Sequence, residues 1–286
     1  MPRESSSQIP DAGALVLPTN LCQAAGGGNN SEDEPAIGVL ALQGGYHEHE
    51  VMLSRAGARC VEVRQARDLT ETALDGLVIP GGESTTMGHL ANRLGLLDPL
   101  RRLIKAGMPV MGTCAGLIFL ADKVRSISPE PGSIIPIRTH YAQVVGQKEG
   151  GQANLGGMDV TVARNFFGAQ IDSFETELKV SLAPDDPKAQ RVVSAIFIRA
   201  PAVIRSGPAV RVLASLDGPS IGRDEPAPVA VQQGSLIGLS FHPELTTDLC
   251  WHAHFVELCR EKKAPAAAPE KAAPPKGSKR QRRGGK

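Results

Sequence analysis

The chain has 286 residues, with 31 Lys and Arg against 30 Asp and Glu, a formal net charge of +1, so no global charge field recommends a nucleic-acid or membrane partner. Hydrophobic residues make up 41 % and charged residues 21 %, an ordinary globular balance, while aromatics at 3 % leave the core to aliphatic side chains. No stretch reaches the roughly 20 apolar residues of a membrane-spanning helix, and the five cysteines are odd in number without CxxC pairing. These features point to a soluble, cytoplasmic protein with reduced thiols.

Residues 1–35 are rich in Ser, Gly, Asn and Pro and end near the acidic run Glu32-Asp33-Glu34. Such a composition cannot offset its ordering entropy and predicts a disordered extension; a transit peptide is the alternative, for which its arginine content is low. From Ile37 the chain alternates. Ile37–Leu42 reads as a buried strand, Glu48–Arg55 as a helix stopped near Gly57, and Cys60–Val63 and Gly76–Ile79 as strands. Ser84 is the expected cap of a helix to about Leu94, and Asp98-Pro99 open another to Lys105. Pro109–Gly112 reads as a strand and Ala115–Asp122 as a helix. The second half is richer in strands: Asp159–Ala163, Leu178–Ser181, Val192–Ile198, Val210–Leu216, Val229–Gln232 and Leu236–Leu239, before a closing helix over Leu249–Lys262. Strands alternating with helices predict one α/β domain over 36–262, a mostly parallel sheet flanked by helices. Residues 263–286 form a Pro/Ala linker ending in Lys279-Arg280-Gln281-Arg282-Arg283, a solvated tail or a nuclear-import patch.

Three strings carry chemistry. In Gly112-Thr113-Cys114-Ala115-Gly116 a cysteine sits between a strand and a helix with glycine two residues to either side, the thiol counterpart of a nucleophile elbow. The helix N-terminus there favours thiolate over thiol, whereas an ordinary free cysteine is simply buried. Cys22, Cys60, Cys250 and Cys259 lack this setting. In His242-Pro243-Glu244, an extended segment turns residues i and i+2 to the same side, so the carboxylate can orient the imidazole. Taken alone, an HxE string is common; its place just after a strand pairs it with the elbow. The string Pro80–Met87, PGGESTTM, follows a strand, and its two glycines allow a turn that aims N–H groups at a developing oxyanion. It lacks the GK[ST] of a phosphate loop. A nucleophile, a base and an orienter amount to an acyl-transfer site.

These strings resemble the triad-type (class I) glutamine amidotransferases, whose fold is flavodoxin-like. With Gly38–Gly44 (GVLALQG), Gly112–Asp122, Arg164–Glu175 (RNFFGAQIDSFE), Phe197–Pro201 (FIRAP) and Ser240–Thr246 (SFHPELT) they are similar to the glutaminase subunits of pyridoxal 5′-phosphate synthase. Val145–Gln152 (VGQKEGGQ) resembles the plant-type members. The resemblance implies that Cys114, His242 and Glu244 are catalytic, that L-glutamine is the substrate, and that Gly82, Glu83, Ser84, Arg164, Ile198 and Arg199 bind it. It implies no metal and no cofactor, a thioester intermediate, and a separate (β/α)8-barrel synthase subunit that receives the ammonia and sets the Gly81-Gly82 loop.

Residues 124–143 stand where the family pattern leaves no room, an insertion loop that is either lineage-specific or a retained intron. Two other functions fit parts of the sequence: a glutaminase for another acceptor, which GGESTTM and FIRAP argue against, and a catalytically idle regulatory or nuclear binding protein, which the intact Cys114, His242 and Glu244 argue against.

Overall fold

The structure, a computed structural model, describes residues 34–126, 154–164, 166–167, 173–182, 190–221 and 224–263. The two expected tails, apart from residues 34, 35 and 263, and the plant-like string 145–152 lie outside the described residues.

In chain order the elements are β1 (Ala36–Leu40), α1 (Tyr46–Arg55), β2 (Arg59–Val63), α2 (Asp68–Glu71), β3 (Gly76–Ile79), α3 (Ser84–Arg93), α4 (Leu97–Lys105), β4 (Val110–Thr113) and α5 (Ala115–Leu120). There follow β5 (Ala121–Ser126), β6 (Met158–Arg164), β7 (Phe174–Ser181), β8 (Gln190–Phe197), β9 (Ala202–Ser206), β10 (Arg211–Leu216), β11 (Ala227–Gln233), β12 (Leu236–Leu239) and α6 (Cys250–Lys263). Seven strands form one sheet in the order β10-β11-β12-β4-β3-β1-β2. The run from β12 to β2 is parallel throughout, and β11 and β10 extend it antiparallel, so the expected mostly parallel sheet is present. Beside it lie a three-stranded sheet, β5-β6-β9, and the hairpin β7-β8.

Period-two alternation divides the core into two layers. Ile37, Val39, Val78, Met111 and Ile237 share one buried cluster with Leu53 of α1 and Trp251, Phe255 and Val256 of α6. Their strand neighbours Leu40, Leu77, Ile79, Val110 and Leu236 join the other, with Met87 and Ala91 of α3, Leu100 of α4 and Leu117 of α5. All four of those strands, β1, β3, β4 and β12, are buried on both faces, as parallel strands under helices must be.

Four local expectations need correction. The α5 helix stops at Leu120, because Ala121 already has a ψ of 136° and starts β5. Residues 124–126 of the expected insertion loop are therefore paired with β6, and the rest of that loop lies outside the described residues. Glu83, not Ser84, caps α3: its carboxylate accepts from the Thr85 and Thr86 backbone N–H groups, and Ser84 is the first helical residue. Residues Pro243–Leu245 form a 3-10 turn closed by the Leu245 N–H on the His242 carbonyl, so His242-Pro243-Glu244 is not extended. Proline with its fixed φ opens such a turn readily.

Candidate active site

The carboxyl ends of β1, β3, β4 and β12 lie side by side, and each is followed by one of the singled-out strings. The chain leaves β1 for β2 on one side and returns to β3 on the other, so the β1/β3 boundary is a topological switch point, where open parallel sheets form their crevice.

Cys114 leaves β4 with φ 47° and ψ −101°, a conformation rare for a side-chain-bearing residue, and its N–H is tied to the Leu239 carbonyl at 2.8 Å. The expected demand for small neighbours is a matter of backbone on backbone. A Cβ on Gly112 would lie 2.6 Å from the Gly116 carbonyl carbon, and one on Gly116 would collide with the Ile79 carbonyl of β3. The elbow closes only because these atoms are missing.

His242 and Glu244 meet through the 3-10 turn. His242 Nδ1 is 2.8 Å from Glu244 Oε1, and Cys114 lies close enough to the same imidazole to influence its charge. Burial alone would lower the His242 pKa, but its interactions with Cys114 and Glu244 outweigh burial and push it up to about 10. Burial likewise works to raise Glu244, and the neighbouring His49 and His242 overcome it, holding the carboxylate below its ordinary range. The pair is thus arranged as imidazolium against carboxylate, with the bond to Oε1 fixing Nδ1 as a donor and leaving Nε2 for the thiol side.

The loop after β3 packs onto this pair. A Cβ on Gly81 would collide with His242 Cε1 and come within 3.3 Å of Cys114 Cβ. The Gly81 carbonyl accepts from Gly45 N–H at 3.3 Å, and in a trans peptide the Gly82 N–H then faces the opposite way. Gly82 has φ +150°, and a Cβ there would run into the Gln43 amide. That amide clamps the loop across the switch point: Gln43 Oε1 accepts from Glu83 N–H at 3.1 Å, and Nε2 donates to the Glu83 carbonyl at 3.4 Å. Arg164 reaches in from β6, its Nη2 donating to Thr85 Oγ1 at 3.1 Å and lying 3.6 Å from Glu83 Oε1. Ser84 is buried at the head of α3.

Cys114, His242, Glu244 and Gly82 therefore come together around Gly81, and Glu83, Ser84 and Arg164 adjoin them through α3. Ile198 and Arg199 follow β8 and connect to the site through backbone: Ile196, two residues earlier, accepts the His242 N–H at 2.9 Å. Arg199 is exposed and takes a left-handed φ of 45°. Elsewhere burial pushes the Cys60 thiol up to about 11 and Cys259 up to about 12, which suits inert structural thiols. Among the described residues no cluster of three or more His, Cys, Asp or Glu side chains is placed to hold a metal ion.

Sequence reasoning missed Gln43, Thr85, His49 and His252. Gln43 stands in the quoted string GVLALQG, beside a glycine with positive φ, the one signal that could have drawn attention to it. His49 and His252 are completely buried and 2.9 Å apart, His49 Nδ1 to His252 Nε2, behind the Glu244 carboxylate. No local pattern joins two residues so distant in sequence.

The chain matches the model of the SNO glutamine amidotransferase family over residues 39–132 and 141–261, an alignment that skips 133–140 inside the stretch that sequence reading marked as an insertion. It is 44 % identical over 241 residues to a protein of Arabidopsis thaliana described as "Probable pyridoxal 5'-phosphate synthase subunit PDX2", covering 79 % of this chain and 86 % of that one. It is 47 % identical over 226 residues to the pyridoxal 5'-phosphate synthase subunit PdxT of Parafrankia sp. (strain EAN1pec), covering 79 % and 94 %. Among solved structures, a glutamine amidotransferase crystal structure superposes with a TM-score of 0.60 at 39 % identity, covering 78 % of this chain and 98 % of that one.

Proposed function

The chain belongs to the SNO glutamine amidotransferase family, and from that premise we propose that it hydrolyses L-glutamine at Cys114 and delivers the ammonia to a separate synthase subunit that makes pyridoxal 5′-phosphate. The observation that carries this reading is the arrangement of His242 between the Cys114 thiol and Glu244, 2.8 Å from the carboxylate.

The Cys114 sulfur attacks the side-chain amide carbon of glutamine, and the carbonyl π electrons move onto oxygen. Backbone N–H groups at Gly82 and just after Cys114 receive that oxyanion. As the tetrahedral species collapses, the C–N bond breaks and His242 gives its proton to the leaving nitrogen, releasing ammonia and leaving a glutamyl thioester. His242 then takes a proton from water, the hydroxyl adds to the thioester carbon, and the C–S bond breaks to return glutamate and the sulfur nucleophile. Glu244 keeps Nδ1 protonated throughout. Arg164 offers the positive charge that matches the substrate α-carboxylate, and Glu83 the negative charge that matches the α-ammonium. Ser84, Ile198 and Arg199 complete the pocket.

Ammonia released into water at neutral pH is protonated and ceases to be a nucleophile, so the product is useful only if handed over directly. The curated relatives are described as subunits of pyridoxal 5′-phosphate synthase, which supports a separate synthase subunit as the receiver. The Gly81-Gly82 peptide, which among the described residues is held by the 3.3 Å bond from Gly45 N–H, is the element that docking sets.

The test is Cys114→Ala, assayed for glutamate release with the synthase subunit present. Loss of at least about 1,000-fold is expected; continued hydrolysis would refute the reading. Equal rates for the wild-type chain with and without the synthase subunit would refute the docking step alone.

A further inference from the structure

Glu244 has two carboxylate oxygens, and the reaction described above uses one. Oε2 is buried and, among the described residues, accepts no hydrogen bond, with His49 Nε2 3.3 Å away. His49 comes from α1, is fully buried, and also has Nε2 3.1 Å from Thr113 Oγ1 at the end of β4, one residue before the nucleophile. Its other nitrogen, Nδ1, lies 2.9 Å from His252 Nε2 on α6. His252 is itself fully buried, and its Nδ1 has no hydrogen-bond partner among the described residues.

Only one assignment of protons suits this chain of contacts. A lone pair on His49 Nε2 would face a buried carboxylate oxygen, which is repulsive; an N–H there faces it favourably. With Nε2 protonated and the ring neutral, Nδ1 must accept, so His252 donates from Nε2. The orphan Nδ1 of His252 is then a bare lone pair and not a stranded N–H, the cheaper of the two to bury. The His49 N–H then makes its hydrogen bond to Thr113 Oγ1 at 3.1 Å, and Glu244 Oε2, 3.3 Å from the same nitrogen, is held by the charge–dipole attraction of that N–H.

We propose that His49 is a positioning residue for this reaction: its Nε2–H, held in place by the hydrogen bond that His252 donates to Nδ1, anchors the free oxygen of Glu244 and so fixes the carboxylate beneath His242. The inference rests on the glutamine-hydrolysing reading for its rate consequence alone.

The surroundings keep this donor uncharged. Burial lowers the His49 pKa, and His242 lowers it further, against the opposing pull of Glu244 from the same turn and Glu48 from its own helix. Burial, with His49 opposite, lowers His252 to about 3. Neutrality matters to the chemistry. A cationic His49 would neutralise Glu244 and weaken its hold on the His242 imidazolium, whereas a neutral N–H orients the carboxylate and leaves its charge intact. Without the His49 N–H 3.3 Å away, Oε2 would be a buried anionic oxygen with no polar hydrogen near it among the described residues, and the carboxyl group would either turn away or take up a proton.

The test begins on the unmodified full-length chain labelled with 15N at histidine. The spectra should give His49 as the neutral Nε2–H tautomer, unchanged between pH 8 and pH 6; a Nδ1–H tautomer or an imidazolium at His49 would overturn the proposal. Two variants then read the consequence with the synthase subunit present. His49→Leu should lower kcat by about 10–100-fold, as loss of outer-shell partners does elsewhere, with KM changed by less than about 3-fold, and should move the His242 titration midpoint down. His49→Gln, whose amide places an N–H near the position of Nε2, should restore most of kcat and the His242 midpoint. Equal losses in both variants with an unmoved His242 midpoint would mean a merely structural role and sink the idea. If His49→Leu fails to fold, the tautomer measurement still decides. Continued hydrolysis by Cys114→Ala, in contrast, would sink the glutaminase reading without touching the tautomer result.

Discussion

Burying two neutral histidines behind the site predicts an acid-sensitive fold, and His252 allows the size to be worked out. In the unfolded chain its imidazole titrates near 6.5; in the folded chain burial holds it to about 3. Between those values the unfolded state carries a proton that the folded state does not, so stability falls as pH falls, by about 1.36 kcal/mol for each pH unit. From pH 7.5 to pH 5 the relevant window is the roughly 1.5 units below 6.5, a loss of about 2 kcal/mol from this residue, or about 4–8 °C in melting temperature for a domain of this size. His49 and His254, also lowered by burial, act in the same direction. His242 acts in the opposite one: raised to about 10, its contribution is complete below 6.5 and is lost as pH rises through 10. The His252 share is isolated by urea unfolding of wild type and His252→Leu at both pH values. Any packing cost of the substitution is the same at each pH and cancels in the double difference, which should be about 2 kcal/mol together with whatever change the loss of its neighbour makes to the His49 titration. His254→Leu serves as the control. That side chain lies on the same helix, half-buried beside Arg211, so its variant should flatten the acid slope less and leave the His242 midpoint unmoved. Parallel curves for wild type and His252→Leu would show that His252 titrates normally in the folded protein and would refute the reasoning.

Two substitutions probe the loop. Gly81→Ala puts a methyl group against His242 Cε1 and within 2.8 Å of Nδ1, so the imidazole must leave its line between Cys114 and Glu244; a kcat loss on the order of 100-fold is expected, and wild-type turnover would show that the loop is free to yield. Glu83→Ala removes the cap that accepts from the Thr85 and Thr86 N–H groups, at a cost of about 1 kcal/mol in unfolding free energy, and should raise KM for glutamine through the lost partner of Arg164; unchanged KM would detach Glu83 from substrate binding.

How much of this was legible in the sequence follows from the range of the interactions involved. The elbow could be read because its constraint is local: Gly112 and Gly116 flank Cys114 within five residues, and the clash that requires them follows from the turn itself. The His242–Glu244 contact was anticipated for a wrong local reason. An extended segment was expected and a 3-10 turn is present, yet both bring i and i+2 within reach of each other. Strands β5 and β9 were missed. The Ala121–Ser126 segment follows α5 with no intervening breaker, and Ala202–Ser206 is short, mixed in polarity and sits just beyond the motif FIRAP. The four residues of α2 show no period at all. Ser84 was preferred as the cap because serine usually is one, whereas Glu83 is longer and folds back only because Thr85 and Thr86 present their N–H groups together. The His49–His252 pair was beyond any pattern, since the contact exists only once α1 and α6 pack on the same face of the sheet.

The site follows from where the strands end. Four neighbouring parallel strands release the chain at one edge, and the backbones that emerge are packed too closely for side chains: Cβ atoms on Gly44, Gly81 and Gly116 would each strike a backbone carbonyl or the His242 ring. That bare backbone brings Cys114, at a strained φ of 47°, against the imidazole without intervening atoms. Among the described residues no loop group is placed to hold Glu244 by its second oxygen. The group that does so must come from behind the site, and α1 is the element placed to supply it, because it begins directly after Gln43-Gly44-Gly45, the segment that also binds the Gly81 carbonyl. One short connection after β1 therefore governs both ends of the proposed reaction: Gly45 and Gln43 set the loop that receives the oxyanion, and His49, one turn into the helix, sets the carboxylate that steadies the base. A change in the tilt of α1 must move both together, so variants that loosen its packing at Leu53 should impair the base and the oxyanion loop in parallel, never one alone.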